Sequence, residues 1–436
     1  MLRDLLKHSI RALSRQKSYV LINILGLSTG IASGLIIALF IIHELSYDQF
    51  HEKKDRIHRL ILNGKISGQE LKVCSSCAPI GPAMKAEIPE VQDFLRINNW
   101  GETIIKYNES FFSEDHFIEA DSSFFDFFSI PLLRGNASTA LTSPHTVVIS
   151  ETTALKMFGN TDPLDKLLKV GTDTTLYRVT GVFGDIPETS HFGANMIGSF
   201  TTNPRSTDQQ WLANSFSTYV MLYPDADPNT VNAKTDSLII KYVGPQILQI
   251  LGITLADFTA SGNRYNIYLQ PLTQAHLDPS VQQDMKPAGD PRYLWIFGSI
   301  AVLIVIIASI NFMNLSTAYA SRRAREIGIK KVVGSTRGKL IGQFLIETIL
   351  LSLLSLIVAI MMTELSLPWF NQLLDTQLSV GYFSNWFTLP VMVLITVLIG
   401  FLAGSYPAFY LSSFNPYMVL KGRLTKSRAN VNLRSV

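Results

Sequence analysis

Four long runs of apolar residues constrain this chain more than any other feature of its sequence. They extend from Tyr19 to Ile42, Tyr293 to Ala320, Leu340 to Met362 and Phe387 to Phe414, and their only charged residue is Glu347. A bilayer core of about 30 Å needs roughly 20 apolar residues of helix. We therefore predict transmembrane helices at 19–43, 292–320, 340–365 and 387–414. Buried helices of a large soluble protein are the alternative, but runs so long and uniform favour lipid.

Basic residues beside these runs set the predicted orientation. Three flanks are rich in Lys and Arg: Arg3, Lys7, Arg11, Arg15 and Lys17; Arg322, Arg323, Arg325, Lys330, Lys331, Arg337 and Lys339; Lys421, Arg423, Lys426, Arg428 and Arg434. The segment 366–386 has no Lys or Arg and contains Asp375. Positive flanks stay in the cytoplasm. The sequence thus predicts a bacterial inner-membrane protein with a cytoplasmic loop at 321–339, a cytoplasmic tail at 415–436, and segments 44–291 and 366–386 on the periplasmic side.

The first run could instead be a cleaved signal peptide. Its apolar stretch is longer than a signal core, and Ile41-Ile42-His43-Glu44 offers no small-residue cleavage site. Residues 1–18 place Leu2, Leu5, Leu6, Ile10 and Leu13 at helical spacing opposite basic residues. We predict that this segment is a cytoplasmic amphipathic helix along the membrane face.

The segment 44–291 predicts an α+β domain inserted between the first two spans. Expected strands are Arg56–Asn63, Val91–Ile97, Thr146–Ser150, Leu176–Phe183, Thr218–Tyr223 and Tyr265–Leu269. Expected helices are Gly81–Ile88, Ser122–Phe128, Glu151–Phe158 and Pro228–Tyr242. Seven aromatic residues, Phe111, Phe112, Phe117, Phe124, Phe125, Phe127 and Phe128, could form a greasy substrate surface, but core packing is favoured.

Cys74 and Cys77 are the only cysteines of the chain. Outside the cytoplasm a disulfide is chemically permitted. Three interpretations stay open: a local structural disulfide, two free thiols, and a redox-active pair at a helix start, for which Pro79 and Pro82 are suitably placed. The first is favoured, and nothing else in the sequence supports redox catalysis.

The sequence lacks the common catalytic motifs. It has no phosphate-binding Gly-x-x-x-x-Gly-Lys-Ser/Thr, no His-Glu-x-x-His, no Gly-x-Ser-x-Gly and no His/Cys spacing suited to zinc. A net charge of +3 is too small to indicate nucleic-acid binding. We therefore predict a non-enzymatic chain with no catalytic, cofactor or metal site.

The loop at 320–335 is longer than a simple turn requires and contains apolar as well as charged residues. It sets Ile327, Ile329, Val332 and Val333 among five positive charges and Glu326. One interpretation is positive-inside anchoring of the flanking helices. The other is a docking helix whose apolar residues enter the groove of a soluble partner.

Separated motifs resemble the MacB/FtsX-type permeases of ABC transporters. They are Asn23-Ile-Leu-Gly26-Leu-Ser-Thr-Gly30; Asp121-x-x-Phe124-Phe-x-x-Phe128-x-x-Pro131; Val147-Val-Ile-Ser-Glu151; Val179-Thr-Gly-Val-Phe-x-Asp185-Ile-Pro; Asn311-x-x-Asn314; Arg322-Arg-Ala-Arg-Glu326-Ile-Gly328-Ile-Lys330-Lys-x-x-Gly334-Ser335; and Gly404-Ser-Tyr-Pro407. Together they extend over nearly the whole chain. The resemblance implies a MacB-like periplasmic core domain and an FtsX-like permease domain.

The resemblance also implies partners and contact residues. A cytoplasmic ABC ATPase subunit would push the coupling loop, and the helices would pass that motion to the outer domain. The expected ATPase contacts are Arg325, Glu326, Ile327, Gly328, Lys330, Lys331 and Gly334. Permeases of this kind work as dimers, and Gly26, Gly30 and Ser33 give the first span a small-residue face for close contact across a dimer. A periplasmic adaptor could be a further partner, and Glu347 should face protein or snorkel to the cytoplasm.

Two departures from the family leave the function open. MacB carries its ATPase in the same chain, whereas this sequence has no ATPase motif, so the ATPase is expected in trans. The tail from Arg423 suggests a half-length or truncated form of a duplicated permease. We predict export or release of amphipathic cargo such as a drug, peptide or lipoprotein; the alternatives are a regulator of a periplasmic enzyme or sensor, and a sensor or adhesin without an ATPase.

Overall fold

The computed structural model describes residues 16–171, 175–322, 324–382 and 386–412, and the side chains of residues 320–326 and of Leu411 fall outside that description. Most of the predicted amphipathic segment 1–18 and all of the predicted tail 415–436 therefore lie outside the described residues. The chain divides into two compact units, His43–Pro291 and the combination of Met1–Ile42 with Arg292–Val436. We call them the inserted unit and the helical unit.

The regular elements are numbered in chain order. The helices of the described residues are α1 (Lys17–Leu45), α2 (Ile80–Glu87), α3 (Phe124–Phe127), α4 (Glu151–Phe158), α5 (Pro228–Leu238), α6 (Gly244–Leu251), α7 (Leu255–Ala260), α8 (Pro291–Arg322), α9 (Ala324–Val332), α10 (Arg337–Leu374) and α11 (Thr388–Ser412). The strands are β1 (Ile57–Ile66), β2 (Gln69–Val73), β3 (Ser75–Ser76), β4 (Val91–Tyr107), β5 (Ser110–Ala120), β6 (Leu132–Gly135), β7 (Thr146–Ser150), β8 (Leu167–Val170), β9 (Leu176–Phe183), β10 (Met196–Ser199), β11 (Phe216–Leu222) and β12 (Arg264–Pro271).

Four helices of the described chain, α1, α8, α10 and α11, are long and apolar enough to cross a membrane. Their large hydrophobic side chains mostly face outward, as at Leu365, which is 81% exposed, and Leu402, which is 67% exposed. The buried positions of α10 include small or hydroxyl residues such as Ser352, Ser355 and Thr363. Because lipid solvates apolar side chains, close packing between membrane helices depends on small residues.

One mixed sheet organises the inserted unit. Its strand order is β12-β1-β11-β4-β5-β10-β7-β9-β6, with β2 paired to β1, β3 to β11, and β8 to both β4 and β9. The pairs β5/β10 and β7/β9 are parallel, and the other pairs are antiparallel. The β4/β5 hairpin is the longest feature and turns at Asn108, whose φ of 52° is left-handed. Asn is among the few residues that tolerate this conformation.

Side chains pack on the sheet in three main hydrophobic clusters. The first lies around Phe124, Phe128 and Phe192. The second joins Leu60 and Val220 to helices α2 and α5 to α7 through residues such as Met84 and Ile247. The third holds Phe117, Met157 and Phe158, and thereby anchors α4. The helices of this unit therefore pack against the sheet through these clusters.

Several predicted strands coincide with observed ones. The expected strands Thr146–Ser150 and Leu176–Phe183 have the bounds of β7 and β9. The helix expected at Ser122–Phe128 is reduced to the single turn α3. The helix expected at Pro228–Tyr242 is α5 followed by a π-helical turn at Ile239–Val243.

The phenylalanine set divides between core and surface. Phe117, Phe124, Phe127 and Phe128 are at most 1% exposed, as core packing predicts. Phe112 and Phe125 are partly buried beside the same clusters. Phe111, near the β4/β5 turn, is the exception at 68% exposed. A continuous greasy surface from this set is therefore excluded.

Candidate functional site

The loop between α8 and α10 contains a short helix, α9. It ends at Val332, and Gly334 follows with a φ of 99°. The Ser335 N–H donates to the Lys330 carbonyl at 2.9 Å, and the Gly334 N–H donates to the Lys331 carbonyl at 3.1 Å. This hydrogen-bond pair is the Schellman motif, whose left-handed residue is usually glycine. Gly334 therefore has a structural role, ending α9 so that the chain can enter α10.

One face of α9 packs against its own chain. Ile327 is 3% exposed and lies in a cluster with Leu340, Phe344 and Ala408, which come from α10 and α11. Gly328 is buried beside it. Of the expected ATPase contacts, Ile327 packs on α10 and α11, and Gly328 is buried.

Basic side chains tie α9 and its flank to the neighbouring helices. The Lys331 ammonium donates to the Ser412 carbonyl at 2.7 Å, and Arg337 Nε donates to Ser412 Oγ at 3.2 Å. Lys330 donates to Gln343 Oε1 at 3.3 Å, and Gln343 donates in turn to the Glu347 carboxylate at 2.9 Å. Three helices are thereby connected through polar contacts at the C-terminal end of α11 and the N-terminal half of α10.

Glu347 is 7% exposed within α10. It accepts the Gln343 hydrogen bond described above. The expectation that this carboxylate faces protein is therefore confirmed.

The other face of α9 and its C-terminal end carry an exposed apolar surface. Ile329 is 51% exposed, Val332 66% and Val333 82%. We call these three residues the apolar ridge. A soluble domain seldom leaves β-branched side chains so open without a partner. The predicted contacts Arg325 and Glu326 lie in the helical backbone of α9, but their side chains fall outside the described residues.

The small-residue face of α1 packs within the chain. A Cβ added at Gly30 would collide with Ala308 of α8, and one at Gly26 would lie 3.3 Å from Asn311 Nδ2. Gly34, one turn further on, approaches Val305 of the same helix. The face that Gly26 and Gly30 share, which is expected to pack across a dimer, lies against α8 of the same chain. Ser33, the third expected contact, is half-buried.

Cys74 and Cys77 are free thiols. They flank β3 and lie in different hydrophobic clusters: Cys74 packs with Ile61, and Cys77 packs with Leu60. Successive residues of a strand point to opposite faces, so residues three apart across an extended segment are directed away from each other. The favoured disulfide is therefore not formed.

Burial also makes these thiols poor nucleophiles. It raises the pKa of Cys77 to about 12, and burial likewise raises the pKa of Cys74. A reactive cysteine needs a lowered pKa. The geometry gives no support to a redox-active pair.

Polar contacts hold the first and last segments of the inserted unit against the rest of that unit. His276 Nε2 lies 3.0 Å from Glu44 Oε2, and the His276 ring stacks on Tyr47 at 3.4 Å. Arg59 donates two hydrogen bonds to Asp284 at 2.7 and 2.8 Å, and the two side chains are 1% and 8% exposed. The first and last segments of this unit are therefore held to it by desolvated charges.

Asp48 forms the centre of a second buried contact set. Its Oδ1 lies 2.9 Å from His191 Nδ1, and His191 Nε2 lies 2.7 Å from the Tyr219 hydroxyl. Burial alone would raise the pKa of Asp48, but the contacts with His191 and His51 outweigh it and hold the pKa well below its usual value. Asp48 is thus an anion in the folded unit, close to the residue where α1 ends.

No group of three or more His, Cys, Asp or Glu side chains suited to a metal ion occurs among the described residues.

Comparison with protein families decides the identity of the chain. The model described as a MacB-like periplasmic core domain matches residues 20–238, half of the chain, and the model described as FtsX-like permease C-terminal matches residues 298–416. The chain belongs to the MacB/FtsX family of ABC transporter permeases. The inserted unit thus carries the periplasmic core domain of this permease, and the helical unit carries its FtsX-like membrane part.

Individual relatives match only part of their own length. The permease is 33% identical over 128 residues to the uncharacterized ABC transporter permease YknZ of Bacillus subtilis, covering 29% of this chain and 31% of that one. It is 22% identical over 327 residues to the macrolide export ATP-binding/permease protein MacB of Mannheimia succiniciproducens, covering 74% of this chain and 46% of that one. The chain therefore matches less than half the length of either relative.

Among solved structures, the periplasmic region of MacB from Actinobacillus actinomycetemcomitans is similar at 14% identity. The match covers 50% of this chain and 89% of that one, with a TM-score of 0.35.

Proposed function

We propose that this permease couples ATP hydrolysis by a separate cytoplasmic subunit to movement of its periplasmic domain, which exports or releases amphipathic cargo. The apolar ridge on α9 carries the proposal. It offers β-branched side chains to a groove, and the opposite face of the same helix is fixed to α10 and α11. A force applied to the ridge would therefore reach those membrane helices rather than bend a loose loop.

Family membership supports the choice of partner. Permeases of the MacB/FtsX type work with ABC ATPases, and the permease domains matched here contain no nucleotide-binding motif. We propose that the ATPase acts in trans on a dimer of permease units in the inner membrane, with a periplasmic adaptor as a further partner. Cargo of the drug, peptide or lipoprotein type is part of the same proposal.

The pinned ends of the periplasmic domain support transmission of motion. Buried pairs such as Arg59 with Asp284 make the domain resist local opening, because separating a desolvated ion pair leaves an unpaired charge in the protein. Displacement of its terminal segments would then move the domain as one body.

The ridge can be tested by affinity purification from cells that produce the natural ATPase partner. The full-length permease should retain an ABC ATPase identified by mass spectrometry. The double variant V332D/V333D should lower the amount retained by at least about 10-fold, since two apolar contacts are replaced by charges that resist burial.

Lys339→Ala is the matched control, because it changes an exposed residue outside α9. It should retain the ATPase at the wild-type level. Equal retention by V332D/V333D and the wild type would contradict the ridge as the docking surface.

A further inference from the structure

A cavity of about 510 Å³ opens beside the C-terminal part of α10. Its lining includes Glu364, Leu367, Asn371 and Tyr382. Cavities of this size hold small molecules or parts of larger amphiphiles. The mechanism proposed above uses none of these residues, so the cavity needs its own explanation.

The wall of the cavity is built by hydrogen bonds. α10 ends at Asp375, which has a φ of 50° and turns the chain back along the helix. The Asn371 side chain then holds the returning segment, donating to the Leu378 carbonyl at 3.1 Å and accepting from the Leu378 N–H at 2.9 Å. This double contact fixes the returning segment beside Glu364 without a ligand.

The cavity combines an apolar floor with two polar groups. Leu367 and Leu378 are each 5% exposed and belong to the core of the helical unit. Glu364 stands one helical turn before Leu367 and is solvent-accessible. The Tyr382 hydroxyl is buried and lies close enough to the Glu364 side chain to interact with it. Burial and the neighbouring Glu364 carboxylate both raise the pKa of Tyr382, so the phenol stays protonated.

The Glu364 carboxylate has no cation of its own. The sequence contains no Lys, Arg or His between Lys339 and Lys421, and Glu364 forms no ion pair among the described residues. Because Glu364 is exposed, its carboxylate is open to a cation from outside the chain.

Tryptophan residues mark the depth of this cavity. Trp369 on α10 is 63% exposed, and Trp386 before α11 is 85% exposed. Exposed Trp is enriched at the membrane–water interface, where lipid headgroups lie. An occupant with a cationic head and an apolar body would meet both the carboxylate and the apolar floor at this level.

We infer that this cavity binds an ammonium-bearing amphiphile, with Glu364 as the counter-ion of the ammonium group. The Tyr382 hydroxyl oxygen accepts a second ammonium hydrogen bond, and Leu367 and Leu378 contact the adjoining apolar chain. A membrane lipid with a primary ammonium headgroup has this chemistry, and so does a cationic amphiphilic cargo. Binding requires no ATPase, so this inference stands or falls separately from the coupling proposed above.

Native mass spectrometry of the purified full-length permease in detergent tests the inference. The probes are phosphatidylethanolamine, phosphatidylglycerol and dodecylamine, each titrated against the wild type and Glu364→Gln. The wild type should bind phosphatidylethanolamine at least about five-fold more tightly than phosphatidylglycerol, and the variant should lose that preference.

Asp375→Asn is the matched control. It removes the neighbouring carboxylate from the same end of α10, and Asn tolerates the left-handed backbone there. This variant should keep the lipid preference. Loss of preference in Asp375→Asn as large as in Glu364→Gln would overturn the inference in favour of a general surface charge effect.

The probes distinguish the two sources of the ammonium group. Glu364-dependent binding of phosphatidylethanolamine alone supports a membrane lipid, and Glu364-dependent binding of dodecylamine supports a cationic cargo. If Glu364→Gln does not fold, Tyr382→Phe provides the second test and should weaken ammonium binding about two- to five-fold at unchanged phosphatidylglycerol binding. Equal binding of every probe by the wild type and the folded variants would refute the inference.

Discussion

The inserted unit and the helical unit differ in where many of their large apolar side chains lie. The inserted unit buries Phe117, Phe124 and Phe183 completely. The helical unit buries Ser352 and Ser355 and exposes Leu365 and Leu402. Water drives large apolar groups inward in the first case. Lipid removes that drive in the second, so close approach of helix backbones decides what is buried.

The units also differ in how they use charge. The inserted unit holds desolvated ion pairs such as Arg59 with Asp284, each partner less than a tenth exposed. The helical unit groups Lys330, Lys331 and Arg337 near the N-terminal end of α10 and leaves Glu364 without an ion pair among the described residues. Buried ion pairs therefore stabilise the interior of the inserted unit.

The largest expected change in unfolding free energy comes from breaking the buried ion pair between Arg59 and Asp284 in the inserted unit. Asp284→Ala leaves the Arg59 guanidinium buried and unpaired, which should cost about 3 to 5 kcal/mol of unfolding free energy. Chemical denaturation followed by circular dichroism measures it.

The exposed pair Lys85 with Asp93 is the control. Its side chains are 47% and 32% exposed, so Asp93→Ala should cost under about 1 kcal/mol. Similar costs for the two variants would mean that the Arg59 pair is hydrated in solution.

The next effect tests close helix packing in the helical unit. Gly30→Ala would place a Cβ against Ala308 and should destabilise the protein by about 1 to 3 kcal/mol. Gly342→Ala, on α10, meets open space and should be neutral or slightly stabilising. Thermal melts in the same detergent compare the two. An unchanged melting temperature in Gly30→Ala would mean that Ala308 does not pack tightly against this face of α1. The face would then be open to a dimer contact.

A smaller change in stability is expected when the pH is lowered. Burial lowers the pKa of His58, which is 4% exposed, so the folded unit holds a neutral imidazole. The unfolded chain binds a proton below a pH of about 6.5, and stability should therefore fall as the pH drops below that value. His58→Gln should reduce the fall in melting temperature between pH 7 and pH 5. His145→Gln, which changes an exposed imidazole, should leave the fall unchanged.

The smallest effect is expected at the lipid-facing surface. Leu365→Ala should change stability by less than about 0.5 kcal/mol, because the side chain is exposed in the structure. Leu95→Ala, at a fully buried site of the inserted unit, should cost about 2 to 5 kcal/mol. A cost at Leu365 as large as at Leu95 would reveal a protein partner on α10, and this measurement therefore also tests the dimer.

The sequence predicted elements whose pattern is local. β7 and β9 were found with their observed bounds because each is a compact apolar run between turn residues. β10 was missed because its four residues include Gly198 and Ser199, which carry no strand signal. β5 was missed because the polar run Ser113-Glu114-Asp115-His116 interrupts it and its aromatic side chains were assigned to core packing without a strand.

The sequence predicted helical structure in the coupling loop but not which side of that helix is covered. Helical spacing located an apolar and basic segment at α9, yet it could not show that Ile327 faces α10 while Val333 faces outward. The same spacing marked Gly26 and Gly30 as a packing face without naming the partner helix. Both questions concern which surface a neighbour covers, and that depends on tertiary contacts.

The two thiols beside β3 give this permease separate reporters of local opening. Each is sealed under a different side of the sheet, so a thiol-modifying reagent can reach one only when the layer above it lifts. Labelling rates at Cys74 and Cys77, measured with and without an ATP-hydrolysing partner, would then show which layer loosens, without any engineered probe.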